Sequence, residues 1–203
     1  MKYETDKGIL IEEYDYADNP REEFDYFSTF YTFLRDKLSP DANIFSFEEW
    51  LRSIFSGKMT KDILSKFEND DISTSTAAQF LCFCLKTKGY IGLPVWKEEH
   101  GNVHYFAGFE CSEDNFDTCF AGIIFCKKEA IYHEYQKRCS KNIIEKVYDL
   151  FKAEVELYSN WANGDVFIYH FADSVECSGP YYGDISTNGV LENLGIKEYR
   201  WIE

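Results

Sequence analysis

The sequence predicts an α+β fold, a helical N-terminal part packed on a mainly antiparallel sheet crossed by one long helix. Three observations carry this. Apolar residues recur at helical spacing through much of residues 20–88. Three short apolar runs follow, Tyr90–Trp96, Val103–Phe109 and Phe120–Cys126, separated by Gly, Asn and Asp turns. Lys141–Trp161 then places Ile144, Val147, Tyr148, Phe151, Val155 and Tyr158 on one helical stripe. At 203 residues the chain is expected to form a single domain, 1–203, with a helical subregion 20–88 and a sheet-containing subregion 89–203.

Element by element, Gly8-Ile9-Leu10-Ile11 reads as a short strand that enters an acidic loop. Asn19-Pro20 starts a helix, because Pro suits the first helical position. Phe24, Phe27, Phe30, Tyr31 and Leu34 extend that helix over Arg21–Leu38, and Ser39-Pro40-Asp41 stops it. Ser46 caps a second helix, Phe47–Phe55, with Glu48 and Glu49 in its first turn and Gly57 at its end. Thr60 caps a third, Thr60–Phe67. Ala77–Leu85 suits either a buried helix or a strand; Lys86, Lys88 and Gly89 behind it favour the helix. After the long helix, Gly164 introduces a strand over Val166–Ala172. Ser178–Asn188 is rich in glycine and polar residues and reads as loop, Val190–Leu194 as a short helix and Ile196–Ile202 as a last strand.

Charge is the strongest functional signal. Twenty-one Lys and Arg face 36 Asp and Glu, a net charge of −15. Seven carboxylates (Glu12, Glu13, Asp15, Asp18, Glu22, Glu23 and Asp25) share the stretch Glu12–Asp25 with one base, Arg21. Nine more, Asp165, Asp173, Glu176 and Asp184 among them, share the last fifty residues with Lys197 and Arg200. Such a field repels nucleic acid and steers the chain toward basic surfaces. Acidity for solubility alone is the plainer alternative. An aromatic content of 18% argues against a disordered acidic chain.

Carboxylates held on a rigid surface can stand in for phosphates against Lys and Arg. The seven carboxylates of Glu12–Asp25, together with Asp165, Asp173, Glu176 and Asp184, are therefore the candidate partner-binding residues. Tyr14, Tyr16, Phe24, Tyr26 and Phe27 are interleaved with them, either as anchors for a partner or as core. The expected partner is a basic host protein or ribonucleoprotein, with no direct nucleic-acid contact. Lys127–Lys152 carries seven bases and four acids and reads as a solvated helix face rather than a nucleic-acid patch.

Other chemistry is poorly supported. His100 and His104 flank Gly101-Asn102, a turn that would splay their rings, and the cysteine spacings match no zinc framework. No metal or cofactor is expected. The seven cysteines name no nucleophile, and Cys82 and Cys84, set among Phe80, Leu81, Phe83 and Leu85, read as core thiols. Phosphate-loop and nucleophile-elbow motifs are absent. Met1–Lys7 lacks an apolar h-region and no apolar run reaches membrane length, so a cytoplasmic location is expected.

Four short patterns, in order, resemble a group of small accessory proteins encoded by phages, plasmids and related mobile elements. Asn19-Pro20-Arg21-Glu22-Glu23-Phe24-Asp25 is similar to that group's Pro-Arg-Glu-Trp-Asp-Asn element. Leu93-Pro94-Val95-Trp96 with His100-Gly101 resembles its Pro-Leu-Tyr…Asp-His-Ser-Gly stretch. Phe116–Ile124 resembles Trp-Asp-Ser-Gly-Gln-Val-Gly-Phe-Ile, and Glu154–Tyr158 with Gly164-Asp165-Val166-Phe167 resembles Glu-Val-Glu-x-Tyr…Gly-Asp-Val-Tyr. The chain departs from the group at Glu23, Tyr26 and Thr118-Cys119, and near His100. The resemblance implies a mobile-element origin, in a bacterial host cytoplasm, and supplies no reaction. Origin and charge together lead to the expectation of a non-enzymatic inhibitor of host restriction or CRISPR nucleases. The alternatives are a small hydrolytic or metal-dependent enzyme using the His100 and Asp117 region, or a structural or regulatory phage protein.

Overall fold

A computed structural model describes residues 1–34, 40–41, 46–111 and 117–203, apart from the His100 side chain. Two antiparallel sheets share the strands. β1 (Lys2–Thr5) and β2 (Gly8–Tyr14) form a hairpin in register Tyr3 to Leu10. With β7 (Val166–Phe171), β8 (Ser178–Tyr182) and β9 (Tyr199–Trp201) they make a sheet ordered β8-β7-β2-β1-β9. The second sheet, ordered β3-β6-β4-β5, contains β3 (Thr29–Thr32), β4 (Tyr90–His100), β5 (Asn102–Ala107) and β6 (Thr118–Lys127). The α+β expectation holds.

The second sheet lies between two helical layers. α6 (Lys141–Ala162) buries Ile143, Val147, Phe151, Val155 and Tyr158 against one face, where it meets Ile124 and Cys126. α2 (Phe47–Ile54), α3 (Gly57–Phe67) and α4 (Thr74–Thr87) cover the other with Leu51, Ile63, Leu81 and Leu85, against Ile123 and Phe125. That two-sided burial explains why Ala121–Cys126 is a continuous apolar run rather than an alternating one. A smaller core of Tyr3, Leu10, Tyr169, Ile185, Val190 and Ile196 forms where the C-terminal segment, with α7 (Val190–Asn193), folds over the first sheet.

Local chemistry sets the helix ends. Ser46, Ser56 and Ser73 accept the backbone N–H groups of Glu49, Met59 and Thr76. The third helix therefore starts at Ser56 rather than Thr60, and Gly57 opens it instead of closing α2, which stops at Ile54. At Gly122 a Cβ would lie 1.9 Å from the Tyr31 carbonyl oxygen, so only glycine lets β3 approach β6.

The structure corrects several expectations. Helical structure after Asn19 ends at Glu23, in α1 (Pro20–Glu23), and Thr29–Thr32 is strand. Phe30 and Thr32 are buried while Thr29 and Tyr31 are only partly so, an alternation that the aromatic spacing concealed. Residues 35–38, the far end of the expected helix, lie outside the described residues, as does Ser39. The first fourteen residues make a hairpin rather than one strand. β8 occupies part of the expected 178–188 loop, and α5 (Lys128–Tyr135) follows β6 directly.

Candidate functional site

The segment 15–32 leaves the first sheet at β2 and enters the second at β3, and its anchor is Arg21. The Asn19 Oδ1 accepts the Arg21 N–H at 3.0 Å, fixing α1 so that Glu22 and Glu23 face solvent while Arg21 turns inward. The Arg21 side chain is 1% exposed. Its Nε and Nη2 donate to the two Asp41 oxygens, each at 2.6 Å, a fork matched to a carboxylate. Nη1 donates to Glu154 Oε2 at 2.5 Å, and Nη2 also reaches the Ser28 carbonyl at 3.2 Å. The Ser28 hydroxyl donates to the same Glu154 oxygen, and the Tyr26 ring lies 4.0 Å from the guanidinium carbon.

Burial pulls the Arg21 pKa down, but Asp41 and Glu154 outweigh it and hold the group above its ordinary value. Glu154 goes the other way. Burial lifts its pKa, the Asp41 charge adds to the rise, and the Ser28 hydrogen bond and Arg21 offset only part. This trio is the polar centre of the region, and reading the acids as surface charge concealed it. The signal available beforehand was an arginine alone among seven carboxylates.

Beside it opens a cleft of about 970 Å3, bordered by Asp18, Glu22 and Asp25 and walled by Phe24, Tyr26 and Trp161. Asp18, Glu22, Glu23 and Asp25 are all exposed. Asp15 joins this edge, its N–H donating to the Val166 carbonyl at 2.9 Å, and Asp165 precedes Val166 in the chain. The Asp165 carbonyl in turn accepts the Gly183 N–H. Burial pushes the Tyr182 hydroxyl up to about 12, and the Glu23 and Asp15 carboxylates add to it. Tyr16 is fully exposed, Tyr14 is 71% exposed and Phe24 is 47% exposed, so three of the interleaved aromatics are available to a partner. Phe27 packs instead against Tyr135 at the edge of the main core.

Other candidate acids lie elsewhere. Glu12 is a correction: it is 4% exposed, inward-facing on β2, and accepts the Tyr169 hydroxyl at 2.6 Å and that of Tyr3 at 3.3 Å. Tyrosines from two other strands satisfy its Oε2, while Oε1 is buried without a hydrogen bond among the described residues, so Glu12 ties the first sheet together from inside rather than facing a surface partner. Glu13 is exposed, with His170 Nε2 3.9 Å away. Asp173 and Glu176 are exposed on the loop after β7, whose Ala172 N–H bonds Ile9, toward the end of the sheet away from Asp15. Asp184 is exposed but accepts the Ser186 N–H and hydroxyl, which lower its pKa.

The remaining candidates are placed as follows. His104 stands across from Glu98 and stacks on Phe106; Glu99 N–H donates to the Asp117 carbonyl at 3.3 Å. The His100 side chain lies outside what is described. Among the described residues no three His, Cys, Asp or Glu gather as a metal site, and no helix is long and apolar enough to cross a membrane. Cys82, Cys84 and Cys126 are buried, whereas Cys119 and Cys177 are exposed. On α6, Lys141 and Lys152 pair with Glu145 and Asp149 of the same helix. Comparison with protein-family models, curated proteins and solved structures finds no match to this chain.

Proposed function

We propose that this protein is a non-enzymatic, acidic accessory protein of a phage or other mobile element that inhibits a host nucleic-acid-handling defence system. It does so by occupying a basic surface of a restriction or CRISPR nuclease complex, its carboxylates standing where phosphates would. One observation carries the reading. Asp18, Glu22, Glu23 and Asp25 are exposed together within eight residues, beside exposed Tyr16 and Phe24, on a segment anchored by a buried arginine. Fixed carboxylates offer a pre-organised pattern of charge, and neighbouring aromatics add contact area. A net charge of −15 supplies fast, salt-sensitive encounter with a basic partner. The resemblance to mobile-element accessory proteins agrees with this role.

The test is capture of a restriction or CRISPR complex by the immobilised protein from a bacterial lysate that expresses both. Binding is expected at low salt, with loss at high salt and competition by DNA. The charge-reversed variant Asp18→Lys/Glu22→Lys/Asp25→Lys should bind at least about tenfold more weakly, since each lost ion pair weakens and each new one repels. Capture indifferent to salt and to the reversal would overturn mimicry, and no capture at all would overturn the inhibitor role.

A further inference from the structure

The cleft beside α1 combines aromatic walls with an acidic border. Phe24, Tyr26 and Trp161 offer aromatic surface, and Asp18, Glu22 and Asp25 stand at its border. Arg21 is the one base among the described residues that line it, and its donors are committed to Asp41, Glu154 and Ser28. Among the described residues an anionic occupant finds no free cation, whereas a cationic one meets the carboxylates of Asp18, Glu22 and Asp25.

We propose that the cleft takes the guanidinium of an arginine side chain projecting from the basic partner, an inference that rests on the function proposed above. Charge complementarity selects a cation, and the aromatic walls select a planar one. A guanidinium stacks on aromatic faces and forks onto carboxylates, while the compact, strongly hydrated ammonium of lysine does neither as well. The wall already holds one example of this recognition: Arg21 lies over Tyr26 and is forked by Asp41. A volume of about 970 Å3 leaves room for a whole arginine side chain.

Calorimetric titration with acetylated, amidated hexa-arginine and with the matching hexalysine tests this on the whole protein. Hexa-arginine is expected to bind more tightly than hexalysine. Asp18→Asn/Glu22→Gln/Asp25→Asn should weaken hexa-arginine about tenfold, and Phe24→Ala about threefold. Asp70→Asn/Asp71→Asn, which removes charge outside the cleft, should leave it unchanged. All these positions are exposed, and a cooperative thermal melt of each variant would show that it folds. Equal affinity for the two peptides, equal loss in the distant variant, or no binding would overturn the proposal. Peptide binding that tracks the cleft without capture of a defence complex would leave the cleft standing and sink the function. Capture that ignores the cleft variants would do the reverse.

Discussion

A carboxylate as buried as Glu154 survives only by sharing its charge. Its Oε2 receives both Arg21 and the Ser28 hydroxyl, and removing it would leave the buried guanidinium with Asp41 alone. Breaking such a pair typically costs about 3–5 kcal/mol, because the surviving charge stays desolvated. Glu154→Ala is expected to lose stability in that range, and Glu154→Gln distinctly less, since the amide oxygen still accepts from Arg21. The pH dependence follows from the direction of the shift. Burial lifts the folded-state pKa of Glu154, so folding favours the protonated form. The associated stability is full below the unfolded pKa of about 4.3 and is lost as pH rises through the folded value. Wild type should therefore lose ground to Glu154→Gln as pH rises above the unfolded value of about 4.3 in urea titrations. A gap moving in the opposite direction would show that Arg21, not burial, governs this group.

At the scale of elements, the second sheet has two edges, and side chains close both. On β5, Ser159 Oγ accepts the Tyr105 N–H at 2.9 Å, and Asn163 exchanges hydrogen bonds with Val103. On β3, Asp41 accepts the Phe30 N–H while Arg21 donates to the Ser28 carbonyl. The polar trio thus doubles as an edge cover, in place of the exposed strand that would invite pairing with another chain. Everything on this side depends on β3 lying close to β6, which Gly122 permits. Gly122→Ala is expected to cost about 3 kcal/mol, the upper end for overpacking, because the obstacle is backbone. Loss of near-ultraviolet dichroism from Tyr31 and Trp50, which meet across this layer, would accompany it. An unchanged melting temperature would mean that β3 is not held as described. The sequence made the long helix, α2, α4 and strands β4 to β6 legible, because each has its own periodicity, cap or turn. It concealed β3, whose Phe and Tyr residues also fit a helical face, and the edge cover, whose partners stand 133 residues apart. Glu12 was misleading for the same reason: the tyrosine that makes its shorter hydrogen bond is 157 residues away.

At the scale of the molecule, the question is whether −15 is a cost to the fold or is cancelled by pairing. The exposed pairs Lys2–Glu203, Arg52–Glu48 and Arg200–Glu4 are of a kind that contributes little, and salt weakens them. Against them stand the carboxylates of residues 15–25, crowded on one edge with Asp165 and with their one arginine buried. Self-repulsion of that kind is long-ranged and is also weakened by salt, so the two effects act in opposite directions. Like charges outnumber paired ones here, and repulsion should win. Raising ionic strength from about 10 mM to about 150 mM shortens the screening length from about 30 Å to about 8 Å. The melting temperature is expected to rise across that range, by roughly 2–4 °C for each kcal/mol of repulsion removed. Asp18→Asn/Glu22→Gln/Asp25→Asn should melt higher than wild type at low salt and converge with it at high salt. That convergence would locate the repulsion on the same edge that is proposed to meet a basic partner, since a binding face kept acidic at the expense of the fold is released when the partner neutralises it. A melting temperature that falls with salt would mean that surface pairs dominate and that the acidic edge carries no stored repulsion for a partner to relieve.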